Sequence, residues 1–288
     1  MIKYISGGVC AANGFKAAGI HCGIRKNTDK KDLALIVSDK EATAAAVYTQ
    51  NLVKGAPIAV TKKNIADGKA MAVICNSGNA NTCNANGIEI AEQMCELTEK
   101  YSGIKKNDVI VASTGVIGQP LSIEPIADKM DQLVKSLKYN NSNEAATAIM
   151  TTDTVQKEAA VSFEINGVEC KLGGIAKGSG MIHPNMATML VFITTDGPVP
   201  RRSIFLSNRS PSEAVDFLQS DLLLLAYPAL ASDLSVSHRR HRLGLDVLPE
   251  VPLRLLPDRC APNLEAYVLE FHTCWTLHKS LIFHCEAV

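Results

Sequence analysis

Apolar runs and stretches of helical periodicity alternate along the first two-thirds of the chain. Apolar residues spaced by four, three and four indicate the buried face of a helix twice, and we expect Ser122 to cap the second helix. The two faces consist of Ile90, Met94, Leu97 and Tyr101, and of Ile126, Met130, Leu133 and Leu137. Short apolar runs predict buried strands at 33–37, 45–48, 71–75, 109–112, 160–163 and 189–193. Interleaved strands and helices predict a layered α/β or α+β fold.

The composition of the chain changes near Gly197. Residues 1–196 contain 19 Lys and one Arg, Arg25, whereas residues 197–288 contain one Lys and eight Arg. All eight Met precede Gly197, and eight of the twelve Pro follow it. Because the physics of a solvated surface does not demand such a change, we interpret residues 197–288 as a fusion or a frame-shifted segment. The alternative is a natural second domain rich in Arg and Leu.

The charge balance and the cysteine spacing argue against several classes of binding partner. The 29 Lys and Arg balance the 29 Asp and Glu, so the chain lacks the basic surplus that binds a nucleic-acid backbone. The nine cysteines lie singly and without a Cys-x-x-Cys pair, which favours a reducing compartment over a disulfide framework or a zinc site. No apolar run approaches the roughly 20 residues of a membrane helix, and the N-terminus does not resemble a signal peptide. We therefore expect a cytoplasmic protein without metal, nucleic-acid or membrane partners.

The segment from Lys177 to Leu190 combines glycines and turn formers and passes directly into an apolar strand. Thr188, preceded by the small Ala187, suits a self-cleaving nucleophile whose hydroxyl attacks the Ala187 carbonyl. Hydrolysis of the resulting ester would free an α-amine with an ordinary pKa of about 8, able to act as the base for its own hydroxyl. Threonine also begins strands because of its β-branched shape. The residues alone therefore leave both interpretations open.

Five segments occur in order along residues 1–196. They are the glycine pattern of Gly7, Gly8, Gly14, Phe15 and Gly19, the Asn-rich stretch 76–81, residues 113–118, residues 150–154 and the string 177–190. Together they resemble the ornithine acetyltransferase family, also called bifunctional glutamate N-acetyltransferase/amino-acid acetyltransferase. The resemblance implies a self-cleaving, N-terminal-threonine-nucleophile fold of the ornithine acetyltransferase/aminopeptidase type. In this chain the second half of that fold would be truncated or replaced by residues 197–288.

The resemblance also implies a reaction and the residues that perform it. An acetyl group would pass from N-acetylornithine to a threonine ester and then to glutamate, in arginine biosynthesis, without a metal or a bound cofactor. Bifunctional members also accept acetyl-CoA as a co-substrate, and the cleaved α and β fragments of the family form a heterotetramer. The implied site consists of the nucleophile Thr188, the cleavage pair Ala187 and Thr188, the oxyanion donors Thr114 and Gly115, and the substrate contacts Thr151, Lys177 and Thr188.

Other interpretations of the same residues stay open at this point. Thr114 and Gly115 also fit an ordinary β-turn directly after a strand, and Lys177 fits a solvated lysine in a glycine-rich loop. An amidase or aminopeptidase on the same scaffold would let water resolve the acyl-enzyme. A truncated product would neither cleave nor bind. Because residues 197–288 lack the acidic motif of the family's second half, we expect a poorly stable and inactive chain.

Overall fold

The computed structural model describes residues 2–49, 51–178 and 189–198, and the backbone of residues 280–283. Within these ranges, strands and helices alternate around a nine-stranded sheet. The strands are β1 (Lys3–Ile5), β2 (Phe15–Ile20), β3 (Leu33–Ala45), β4 (Lys69–Asn79), β5 (Val109–Val116), β6 (Lys157–Ile165), β7 (Val168–Lys177), β8 (Leu190–Thr195) and β9 (Ser280–Phe283). The helices are α1 (Ala56–Asn64), α2 (Gly87–Ser102), α3 (Glu124–Lys135) and α4 (Ser142–Ile149), with 3-10 turns at Gly8–Cys10 and Lys106–Asp108.

The sheet is mixed, and β3 lies at its centre. The strand order is β1-β6-β7-β8-β9-β3-β4-β5, with β2 paired to β3 beside this path. β4 runs parallel to β5 and β9 runs parallel to β3, whereas the other pairs are antiparallel. β3 pairs with β4 along one edge, and along its other edge it is long enough for two strands, since residues 33–38 pair with β2 and residues 43–45 pair with β9. A strand from beyond Gly197 therefore lies between two strands of the first two-thirds of the chain.

Helices cover both faces of the sheet. On one face, α2 and α3 bury Met94, Met130 and Leu133 against strand residues such as Leu35 and Ile74. On the other face, α4 packs against β2, β3, β4, β6 and β7, in a second core to which β5 and β8 also contribute buried residues. Burial of one such side chain stabilises the fold by about 1.5–3 kcal/mol. The predicted layered α/β class is confirmed, and none of the helices in the described part of the chain could cross a membrane.

Two predicted element boundaries are wrong. Residues 45–48 do not form a separate strand, because β3 continues through its polar middle to Ala45 with a register shift between Val37 and Ala42. Ser122 is not the N-cap of α3, a position that Ile123 occupies. The Ser122 hydroxyl nevertheless accepts the Glu124 N–H at 3.2 Å, so it bonds to the first turn from one position earlier.

Candidate active site

Two glycines face each other near the ends of the parallel strands β4 and β5. Gly78 pairs with Gly115, and the register becomes irregular at Asn79. The φ angles of 109° at Gly78 and 135° at Gly115 lie in the range that L side chains rarely adopt. A Cβ on Gly115 would lie 2.6 Å from the Asn79 nitrogen and closer still to the Gly78 carbonyl carbon. Position 115 therefore accepts glycine alone unless the backbone moves.

Thr114 is buried on the face of the sheet that α4 covers. Ile110 and Ala112 of β5 belong to the core shared with α4, and strand alternation places Thr114 on the same face. Ser77, which pairs with Thr114, donates from its Oγ to the Ala148 carbonyl of α4 at 2.6 Å. The end of β4, which pairs with the end of β5, is thereby fixed to the end of α4.

The segment that follows α4 folds around the carboxylate of Asp153. Met150 leaves the helix in an extended conformation, and the Thr151 N–H donates to Asp153 Oδ2 at 3.3 Å. Asp153 Oδ1 accepts from Lys157 Nζ at 2.6 Å and from the Gly178 N–H at 2.7 Å. Burial alone would raise the pKa of Asp153, but these donors outweigh burial and hold the pKa below its usual value. The carboxylate thus ties Thr151 to the end of β7.

Lys177 ends β7 with its side chain almost fully buried, at 3% exposure. Its Nζ donates to the carbonyl of the following residue at 3.0 Å. Burial is the main reason that the pKa of Lys177 lies below its usual value, although Asp153 and Cys75 act in the opposite direction. The neighbouring cations Lys157 and Arg25 lower the pKa further. A buried ammonium in such a position can receive the carboxylate or carbonyl oxygen of a small ligand.

The alternative interpretations of Thr114 and Gly115 as a β-turn, and of Lys177 as a solvated loop lysine, are wrong. Thr114 and Gly115 do not form a turn after the strand, because β5 continues past both and pairs with β4 there. Lys177 is not a solvated loop lysine, because the glycines before it belong to β7. A Cβ on Gly173 would fall directly onto the Gly8 carbonyl oxygen, so close approach of two backbones explains that glycine.

Three charged residues of the site were not predicted from the sequence: Arg25, Asp153 and Lys157. The available signals were the occurrence of one arginine among 19 lysines and the four-residue spacing between Asp153 and Lys157. With Lys177 they form a cluster of three cations and one carboxylate, which favours an anionic group in a ligand. In the described ranges, no group of three or more His, Cys, Asp or Glu residues could hold a metal ion.

The predictions for Ala187 and Thr188 lie outside the described residues. β8 begins at Leu190, two residues after Thr188, and Leu190 pairs with Lys177 across the β7–β8 ladder. The described strand that follows Thr188 in sequence therefore begins beside the buried lysine.

Asp153→Asn is expected to destabilise the chain by about 2 kcal/mol at pH 7, since it removes the counter-charge of Lys157 and one of the two oxygens that accept the Thr151 and Gly178 N–H groups. The folded-state pKa of Asp153 lies below the unfolded value of about 3.9, so its contribution is present above that value and is lost as the pH falls through the folded pKa. Urea unfolding at pH 7 and pH 3 should show a larger loss on acidification in the wild type than in the variant. The exposed Asp128→Asn serves as control, and equal midpoints for the two variants at pH 7 would contradict the prediction.

Comparison with known proteins decides the family. A family model described as the ArgJ family matches residues 16–209. The chain belongs to the ArgJ family. This confirms the predicted resemblance to ornithine acetyltransferases, and the match to the ArgJ model stops soon after the change of composition at Gly197.

The ArgJ relatives are named arginine biosynthesis bifunctional proteins. The chloroplastic protein of Oryza sativa subsp. indica is 46% identical over 201 residues, which are 68% of this chain and 43% of the relative. The protein of Bacillus cereus strain ZK / E33L is 46% identical over 199 residues, covering 68% of this chain and 48% of the relative. The chain thus spans about half the length of the curated relatives it matches. Because a plant relative is named as chloroplastic, the cytoplasmic location stays a prediction.

Two solved structures share the fold. The ArgJ protein of Bacillus halodurans is 40% identical with a TM-score of 0.61, covering 66% of this chain and 98% of the solved chain. The ornithine acetyltransferase of Mycobacterium tuberculosis, solved in complex with ornithine, is 33% identical with a TM-score of 0.58, covering 64% and 98%. The layered α/β fold of the ornithine acetyltransferase type is therefore confirmed for this chain.

Proposed function

We propose that this chain carries the front part of an acetyltransferase of arginine biosynthesis that moves an acetyl group from N-acetylornithine to glutamate. The observation that carries the proposal is the convergence of three separate segments. Thr114 and Gly115 lie near the end of β5, Thr151 follows α4, and Lys177 ends β7 beside the start of β8. Asp153 joins the second segment to the third. Ser77 of β4, which pairs with Thr114, donates to α4.

The first step of the proposal is cleavage of the chain before Thr188. The Thr188 hydroxyl attacks the Ala187 carbonyl carbon, the C–N bond breaks, and the proton passes to the departing amine. Water then hydrolyses the ester, leaving a carboxylate on Ala187 and a free amine and hydroxyl on Thr188. The amine serves as the base for the hydroxyl in the next step. Residues 1–187 and 188–288 become the α and β fragments.

The second step is transfer of the acetyl group. The Thr188 hydroxyl attacks the acetyl carbonyl of N-acetylornithine, and the amide nitrogen leaves as ornithine after gaining a proton. The glutamate amine then attacks the ester and restores the hydroxyl. Thr114 and Gly115 would stabilise the oxyanion of each tetrahedral intermediate, where one donor contributes about 3–4 kcal/mol. Lys177 and Thr151 would hold the amino-acid part, with acetyl-CoA as a further acetyl donor in a bifunctional enzyme.

The strand pairing explains how the fragments could stay together after cleavage. β7 belongs to the first fragment and β8 to the second, and six residue pairs from Leu172–Thr195 to Lys177–Leu190 join them. The buried residues of β8 also contribute to the core under α4. We therefore propose that the fragments remain associated and assemble into the heterotetramer of the family.

Replacing the nucleophile tests the proposal directly. On a denaturing gel the wild type should give fragments of 187 and 101 residues, and Thr188→Ala should give the intact chain of 288. The loss should be complete, because alanine has no hydroxyl to attack the carbonyl. Thr28→Ala, at an exposed threonine outside the five segments that resemble the family, is the matched control and should cleave as the wild type does. An uncut wild-type chain would favour the truncated, non-catalytic product.

An acyl-transfer assay separates the proposed reaction from hydrolysis. The chain is incubated with N-acetylornithine, with and without glutamate, and the products are separated by mass. Formation of N-acetylglutamate supports the transferase. Release of acetate at the same rate with and without glutamate would support the amidase or aminopeptidase instead. Co-elution of both fragments in size-exclusion chromatography would support their association.

A further inference from the structure

The loop between β2 and β3 is built around the fully buried carboxylate of Asp32. This carboxylate accepts backbone N–H groups of Cys22 at 2.5 Å, Gly23 at 3.2 Å and Arg25 at 2.8 Å. The Asp32 carbonyl accepts the Ser77 N–H at 2.8 Å, which fixes the loop to the end of β4. The backbone of Arg25 is therefore held in place before its side chain makes any contact.

The Arg25 side chain extends from this fixed loop across the end of β4 to the segment after α4. A Cβ on Gly78 would lie 2.9 Å from Arg25 Cγ, so the arginine side chain passes directly over that glycine. The Arg25 Nη2 donates to the Met150 carbonyl, one residue before Thr151. The half-buried guanidinium also interacts electrostatically with two carboxylates, first Asp32 and then Asp153. One side chain thus connects the β2–β3 loop, the end of β4 and the segment that carries Thr151.

The choice of arginine fits this position. The first 196 residues use lysine 19 times and arginine once. A guanidinium stays charged when partly buried, and its planar fork donates in several directions at once. A lysine ammonium would keep the charge but would lose the fixed geometry toward the Met150 carbonyl.

We propose that Arg25 is a positioning residue, which holds the 150–153 segment against the end of β4 so that Thr151 and Asp153 face Lys177. The proposal rests on the proposed function in that it assigns this segment to substrate contact. Arg25 would act through Thr151 and Asp153 rather than by touching the acetyl group. The expected consequence of its loss is a loosened segment and an altered charge environment of Lys177, inside an otherwise intact fold.

The test compares Arg25→Met, Arg25→Lys and the control Lys26→Met, which removes an exposed cation one residue away. All carry Thr188→Ala so that every sample is the same uncut chain. Hydrogen exchange followed by mass spectrometry should be about tenfold faster in peptides covering residues 150–157 of Arg25→Met, because a charge-assisted hydrogen bond is lost. Peptides of α2 and α3 should exchange as in the parent. Arg25→Lys should restore only part of the protection, because it keeps the charge but loses the fixed geometry toward the Met150 carbonyl. Lys26→Met should change nothing.

A second measurement monitors Lys177, the side chain that the 150–153 segment faces. The pH dependence of Lys177 acetylation by acetic anhydride is measured by mass spectrometry in the same variants. Arg25→Met should shift the midpoint for Lys177 to higher pH, since a neighbouring cation is removed while Asp153, Lys157 and Cys75 remain. Arg25→Lys should leave the midpoint near that of the parent.

The outcomes separate this proposal from the proposed function. Unchanged exchange at 150–157 in Arg25→Met overturns the positioning role, and so does faster exchange spread equally over α2 and α3. An unmoved Lys177 midpoint in Arg25→Met overturns the role as well. Because all samples lack the nucleophile, absence of acetyl transfer by the wild type would count against the proposed function alone.

Discussion

Gly115→Ala is expected to destabilise the chain by about 3 kcal/mol or more, through two separate effects at one atom. The φ angle of 135° is strained for any L residue, which costs about 1–3 kcal/mol. The new Cβ would also lie 2.6 Å from both the Asn79 nitrogen and the Gly78 oxygen. These are backbone atoms of a paired strand, so they cannot move aside as a flexible side chain would, and overpacking adds about 1–3 kcal/mol. The free energy of unfolding in urea measures the sum.

Gly118→Ala is the matched control for this prediction. Gly118 also has a positive φ of 72°, but a Cβ there would meet nothing within 4 Å. The control variant therefore carries backbone strain without the clash, and it should lose only about 1 kcal/mol. If both variants unfold at the same urea concentration, the clash with the backbone of Gly78 does not explain why position 115 is a glycine.

The same substitution would also affect the proposed chemistry. The clash can be relieved only by separating the ends of β4 and β5, which moves the N–H groups of Thr114 and Gly115. An oxyanion donor acts over a narrow range of distances, so we expect cleavage before Thr188 to slow by at least about a hundredfold in Gly115→Ala. Gly118→Ala should cleave at nearly the wild-type rate. Time courses on denaturing gels would show the difference.

The elements that could be predicted from the sequence are those in which apolar residues recur at a regular spacing and form one buried face. Met94 and Met130 recur at helical spacing, and both helices form where the spacing predicted them. β2 and β7 were missed because small residues and glycines interrupt their apolar pattern, as at Gly19 and Gly173. Those glycines follow from contacts with distant backbone, at Glu144 and Gly8, which local periodicity does not contain.

In the candidate site, too, some features could be predicted from the sequence and others could not. Thr114, Gly115, Thr151 and Lys177 were predicted from the resemblance to a family, since their own neighbours in sequence fitted a turn or a loop equally well. What local sequence could not supply is the hydrogen bond from Gly178 to Asp153, which joins positions 25 residues apart. The burial of Lys177 follows from the pairing of β7 with β8 and from the core beneath them, not from its flanking residues.

Lys177→Met is expected to separate stability from ligand binding. Burial lowers the pKa of Lys177, so the charged form is less favourable in the folded chain than in the unfolded chain. Between the folded pKa and the ordinary value of about 10.4 the unfolded chain binds more protons, and wild-type stability should rise with pH there. Methionine fills a similar volume without charge, so the variant should be at least as stable as the wild type at pH 7 and should lack that rise.

In contrast to stability, ornithine binding should become weaker in Lys177→Met. If Lys177 receives the carboxylate or carbonyl of an amino-acid ligand, its removal leaves that group buried without a partner, and the affinity for ornithine should fall at least about thirtyfold. Calorimetric titration of the uncut Thr188→Ala chain with ornithine measures this, with Lys171→Met as the control on the same strand. Asp153 and Lys157 stay in place in both variants. If Lys177→Met binds ornithine as tightly as the parent does, Lys177 is not one of the ligand contacts. If the variant is less stable than the wild type at pH 7, the contact of Lys177 with the Gly178 carbonyl stabilises the fold by more than burial of the ammonium costs.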